Sequence, residues 1–140
     1  MRTKALLVAL FVAALAASVA TAKPPPGKGK PETGVGCKPQ VSVILAGTLT
    51  AVNAGGSPQT ITITVQRRNG HGKVIGVGSS QVVKVDASTK IRRNGPATLA
   101  SLVTTDRVQV QLRVCKADTS DASKILANFA KRVVAHPAKS

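Results

Sequence analysis

From Val41 onward, apolar side chains recur at every second position along several short stretches. In QTITITVQRR, residues 59–68, Ile61, Ile63 and Val65 alternate with Thr60, Thr62 and Thr64, the period of a strand with one buried and one wetted face. DRVQVQLRVC, residues 106–115, repeats it: Val108, Val110, Leu112 and Val114 face one way, Arg107, Gln109, Gln111 and Arg113 the other. VSVILAGTLTAVN, residues 41–53, is rich in β-branched residues and carries Gly47 inside it, where a glycine marks a bulge or sharp bend. Val82, Val83 and Val85 predict a further strand, and VIGVGSS before them reads as irregular strand kinked by glycine.

Turn chemistry separates these runs. The tetrapeptide Arg-Arg-Asn-Gly occurs twice, at 67–70 and 92–95. Asn-Gly between β runs supplies the two positive-φ residues of a type I′ turn, so Asn69-Gly70 predicts a hairpin and Asn94-Gly95 a reversal before Pro96. Ala97, Leu99, Ala100 and Leu102 predict a short helical turn or helix with Pro96 near its first turn. KADTSDAS, residues 116–123, reads as a polar loop. KILANFAKRVVAHP, residues 124–137, has an ambiguous period: Ile125, Phe129 and Val133 would share a helical face, while a strand would use Leu126, Phe129, Val133 and Val134.

The start of the chain has a different character. Arg2 and Lys4 precede an apolar run that closes on Ala20-Thr21-Ala22, the pattern of a secretory signal peptide over residues 1–22. The run, about 16 residues, is short of the roughly 20 that a membrane span requires, and no later segment is long and apolar enough to span. Residues 23–40 are dense in Pro, Gly and Lys and predict a disordered basic leader. The domain follows at 41–137, with a tail at 138–140. The expected location is secreted or in the cell envelope or periplasm. Cys37 and Cys115 are the two cysteines, and in an oxidising compartment a disulfide between them is the leading reading.

The order of these elements, and the stretch VDASTKIRRNGPATLASLVTTDRVQV in particular, resembles a family of secreted bacterial single-domain barrels of unassigned function, related to the oligonucleotide/oligosaccharide-binding (OB) fold. Members end a strand in Asp-x-x-Thr, pass through an Asn-Gly-like turn and a short ATLADL helix, and open the next strand on GDRV. This chain has Thr105 where the family carries glycine, and its segment after the second strand is expanded. The resemblance implies an all-β, mainly antiparallel small OB-like barrel with one short helix between late strands. It also implies that residues 126–136 form the closing strand. It brings no catalytic residues.

Charge and residue inventory then limit function. The formal charge is +15, and loss of Arg2 and Lys4 with the signal peptide leaves the exported chain at +13 (+15 − 2), a surface that attracts polyanions. Arg67, Arg68, Arg92, Arg93, Arg107, Arg113, Lys116, Lys131 and Arg132 are the candidate polyanion-binding residues. His71 in a glycine-rich turn and His136 beside Pro137 are the only imidazoles, and neither sits with a nucleophile and an orienting group. Asp118 and Asp121 share a loop but lack the further oxygens of a calcium site, and no phosphate-cradling glycine loop is present. The chain therefore reads as a non-catalytic binding module without cofactor or metal, associating with an anionic envelope polymer. The alternative is a structural envelope protein that docks a protein partner. A nucleic-acid-binding OB domain is disfavoured, because single strands are gripped by aromatic stacking and the exported chain has Phe129 as its one aromatic, expected in the core.

Overall fold

The computed structural model describes residue 37 and residues 39–140; the signal-peptide reading and most of the leader reading lie outside the described residues. One mixed sheet holds six strands: β1 (Gln40–Asn53), β2 (Gln59–Arg68), β3 (Ser80–Val85), β4 (Lys90–Arg93), β5 (Arg107–Cys115) and β6 (Ala130–His136). Their order is β3-β2-β1-β5-β6-β4. Four pairings are antiparallel and β4–β6 is parallel. The core is aliphatic, with Val43, Leu45, Leu49, Ile61, Ile63, Val65, Val110, Leu112 and Val133 among its fully covered side chains.

The expected all-β class is observed, but the barrel is not closed. β3 and β4, consecutive in sequence, occupy opposite ends of the sheet, and only an isolated parallel bridge, Lys84 to Phe129, reaches across. The interruption has a local cause. Between the two strands the Asp86 carboxylate accepts from Ser88 N–H at 2.9 Å, and Thr89 N–H donates to the Asp86 carbonyl at 3.1 Å. This turn takes the backbone out of register, so the strand pairs on either side of it but not through it. The Thr89 hydroxyl, buried, donates to the Ala130 carbonyl at 2.6 Å and fixes the turn to β6.

Gly47 does what its place in β1 predicts. The β1–β2 register shifts between Ala46 and Gly47, and a Cβ at 47 would lie inside the contact radius of the Thr64 carbonyl oxygen and 2.8 Å from its carbon. The bulged residue opposite is Gln66, which leaves Gly47 against Val65 and Ala46 against Arg67.

The two Asn-Gly steps part company. Asn94 (φ 56°) and Gly95 (φ 136°) both take positive φ, and Arg93 N–H donates to the Gly95 carbonyl at 2.9 Å: the predicted reversal. Asn69 instead is extended (φ −81°, ψ 175°) and Gly70 opens a 3₁₀ turn, Gly70–Gly72, so the two-residue type I′ turn is absent, although β2 and β3 still pair antiparallel across a longer connection. The Asn69 side chain acts as an extra strand partner for β1: its Oδ1 accepts from Ile44 N–H at 3.1 Å and its Nδ2 donates to the Ser42 carbonyl at 2.8 Å. VIGVGSS is likewise loop rather than strand up to Ser80, which opens β3, and is anchored by Ile75, which is 1% exposed.

Three further expectations are sharpened or corrected. Of the helical turn or helix predicted near Leu99, the turn is what forms: a 3₁₀ turn, Leu99–Ser101, with Leu99 and Leu102 buried. KADTSDAS is not a plain loop: a 3₁₀ turn, Lys116–Ser120, leads to Asp121, whose carboxylate caps Ser123 N–H and starts α1 (Ala122–Leu126). The ambiguous segment 124–137 is divided, helix to Leu126 and strand from Ala130, so each reading holds for one half.

Thr105 lies at φ 85°, a conformation that strains a β-branched residue. It is held there by its N–H donating to the Leu49 carbonyl (2.8 Å) and by Asp106 N–H donating to the Val103 carbonyl (3.0 Å). Thr105→Gly is expected to raise stability by about 0.5–1 kcal/mol, relief of backbone strain exceeding the added chain entropy; a urea midpoint that falls would contradict it.

Candidate functional site: a basic sheet face

Successive residues of a strand point to opposite faces, so a pair of adjacent arginines cannot act as one grip. On β4, Lys90 and Arg92 face outward while Ile91 and Arg93 turn toward the interior. There the Arg93 guanidinium meets Asp106 through two bonds, Nε to Oδ2 at 2.7 Å and Nη2 to Oδ1 at 3.2 Å. Asp106 is 1% exposed and also accepts from Val103 N–H at 3.1 Å. The Arg93 hydrogen bonds, seconded by Val103 N–H, hold the Asp106 carboxyl below the usual carboxylate range against the opposing effect of burial, and the same pairing raises Arg93. Arg93 is therefore a structural partner and not a free polyanion ligand. On β2 the Gln66 bulge resets the alternation. Arg67 then stands outward opposite Ala46, and Arg68 falls on the other side opposite Leu45.

The outward positions of β4, β6 and β5 form one surface. Register sets Lys90 beside Arg132, Arg92 beside Val134, Arg132 opposite Gln111, Val134 opposite Gln109 and His136 opposite Arg107. With Arg113 farther along β5, this face carries Lys90, Arg92, Arg107, Arg113 and Arg132 around two carboxamides, Gln109 and Gln111. Two shallow troughs run along it, one of about 530 Å³ lined by Lys90, Ile91, Arg92, Pro96 and Arg132, the other of about 300 Å³ lined by Gln109, Gln111, Arg132 and Val134. Arg132 lines both.

Among the described residues no carboxylate faces this surface. The ion pairs are Arg93–Asp106 and an exposed Lys124–Asp118 contact at 3.8 Å, and Asp86 and Asp121 are engaged in their own turns. Lys90 and Arg132, on strands roughly 4.8 Å apart, thus stand as like charges in register, an arrangement that costs stability unless an anion lies over it.

Of the nine predicted residues, Arg92, Arg107, Arg113 and Arg132 share this face. Arg67 lies in the same cross-sheet row but on β2, two strands beyond the β5 edge of the face and four strands, roughly 19 Å along the sheet, from Arg92. Lys131 sits at the β5–β6 irregularity, and Lys116 begins the turn after β5, its N–H bound to the Pro39 carbonyl at 3.0 Å. Lys90, Gln109, Gln111 and His136 were not among the predicted residues; the parity of Lys90 with Arg92 in KIRR was the available signal. Phe129, expected in the core, is 41% exposed, three residues before Arg132. The expected disulfide joins Cys37 to Cys115, with Cα atoms 5.6 Å apart. No helix among the described residues is long and apolar enough to cross a membrane. Compared with known protein families, curated proteins and solved structures, the chain finds no match.

Proposed function

We propose that this is an exported, non-catalytic module that holds an anionic polymer of the cell envelope on the β4–β6–β5 face. The observation that carries the reading is the in-register pair Lys90 and Arg132, flanked by Arg92 and Arg107 and without a facing carboxylate among the described residues. Guanidinium groups suit phosphate and carboxylate oxygens, and the glutamines between them offer donors and acceptors for the neutral parts of a polymer. The face itself carries no Phe, Tyr or Trp among its members, which favours a charged backbone over stacked bases as the contact. The fold belongs with this reading as an OB-like sheet left open at the Asp86 turn; the support is β1, which bends at Gly47 and pairs with both β2 and β5, and the Lys84–Phe129 bridge at the open seam.

Retention on immobilised polyphosphate across a sodium chloride series tests the proposal. The Lys90→Ala/Arg132→Ala double variant is expected to elute at lower salt and to reduce the slope of log affinity against log salt by about 2, one for each lost contact. Arg68→Ala/Lys116→Ala, equal in charge change but off the face, should leave the slope near that of the parent. Equal effects of the two doubles would reduce the binding to net charge. No retention at low salt would sink the reading, and salt-resistant retention on one envelope protein would favour docking to a protein instead.

A further inference from the structure

The two Asn-Gly steps have one covalent chemistry and two environments. We propose that Asn94 is a site of spontaneous deamidation and that Asn69 is protected from the same reaction by the fold. In this reaction the backbone nitrogen of the following glycine, having given its proton to solvent base, attacks the asparagine Cγ. A new N–C bond closes a five-membered imide, and the side-chain nitrogen leaves as ammonia. Water then opens the ring at one of its two carbonyls, yielding aspartate or the isoaspartate isomer. Glycine on the C-terminal side favours cyclisation because no Cβ obstructs the attack.

Both ends of the Asn69 carboxamide are held, Oδ1 by Ile44 N–H and Nδ2 by the Ser42 carbonyl, and its own N–H donates to the Ile44 carbonyl at 3.0 Å. Rotating Cγ toward Gly70 N would break the cross-strand bonds that join 69 to β1. Asn94 is exposed, and among the described residues its side chain makes no hydrogen bond to the protein. Its neighbour Gly95 has open space where a Cβ would stand. The bond tying this turn is Arg93 N–H to the Gly95 carbonyl, which leaves the attacking nitrogen outside it. Conversion would place a carboxylate two residues after Arg92 and two before Pro96, both of which line the larger trough. On the reading that this face binds a polyanion, the modification weakens retention; the chemical assignment itself does not depend on that reading.

The purified, disulfide-bonded chain held at mildly alkaline pH and then mapped by proteolysis and mass spectrometry decides the matter. The expected result is progressive amide-to-acid conversion at Asn94 with Asn69 retained as amide, and conversion of both after reduction and denaturation. Asn94→Gln, which would have to close a larger ring, should abolish the folded-state conversion. An Asn94 that stays amide in the folded chain, or two asparagines converting at the same rate there, would overturn the proposal whatever the chain's binding behaviour. Polyphosphate elution of Asn94→Asp, expected at lower salt than the parent, separately reads the consequence for the face.

Discussion

Replacing Gly47 by alanine is expected to lower the free energy of unfolding by about 3 kcal/mol or more. The added methyl would not meet a flexible side chain that can swing away. It would meet the Thr64 carbonyl oxygen and carbon and, at 3.1 Å, the Val65 Cα. These atoms belong to the backbone of β2, so relief requires moving the strand. Movement there disturbs Val65, Leu45 and Ile63, all fully buried, and with them the bulge that aims Arg67 outward. The urea midpoint is the measurement, with Gly55→Ala as the control. A methyl group at position 55 would have nothing within 4 Å of it, and that change should stay within about 0.5 kcal/mol. Two variants with equal midpoints would show that β1 and β2 can separate at little cost, and the account of the bend would fall.

Loss of the disulfide should be larger still. Cys37 and Cys115 are 78 residues apart, and opening a loop of that length is worth about 4 kcal/mol in the chain-entropy account. That is a large share of the roughly 5–15 kcal/mol by which a domain is stable. The folded state contributes little strain relief, because β1 and β5 already meet there: Gln40 stands opposite Cys115, and Lys116 N–H donates to the Pro39 carbonyl. The bridge thus acts on the unfolded chain more than on the native one. Cys37→Ser/Cys115→Ser, or the parent under reductant, should show a free energy of unfolding in urea lowered by that amount, with β-dominated circular dichroism retained before the transition. A change below about 1 kcal/mol would mean that the unfolded chain holds these ends together without the bond.

What the sequence disclosed was decided locally. The period-two runs of β2 and β5 are written in consecutive residues, the Gly47 bend in a single missing Cβ, and the Asn94-Gly95 reversal in two residues that tolerate positive φ. Asn69-Gly70 has the same two residues, but its conformation is settled by backbone groups of β1 some 25 positions earlier, which no local pattern contains. The segment 124–137 was ambiguous for a related reason: Asp121, outside the apolar window, caps the helix, and the β5 partner takes over from Ala130. The arginine pairs were misleading as pairs. Their faces depend on strand parity and on the Gln66 bulge, and Arg93 looked free until Asp106, thirteen residues on, was brought beneath it.

The central place of β1 has a kinetic consequence. Its pairing with β2 closes over a short connection, with Asn53 against Thr60, whereas its pairing with β5 joins Gln40 to Cys115 across most of the domain. Long-range pairing must overcome loop-closure entropy before its contacts are returned, so the β1–β2 ribbon can assemble early while β5, β6 and β4 wait on a slower search. Until that search ends, the edge of β1 that will receive β5 is unpaired, and the strands that build the basic face are the last to arrive.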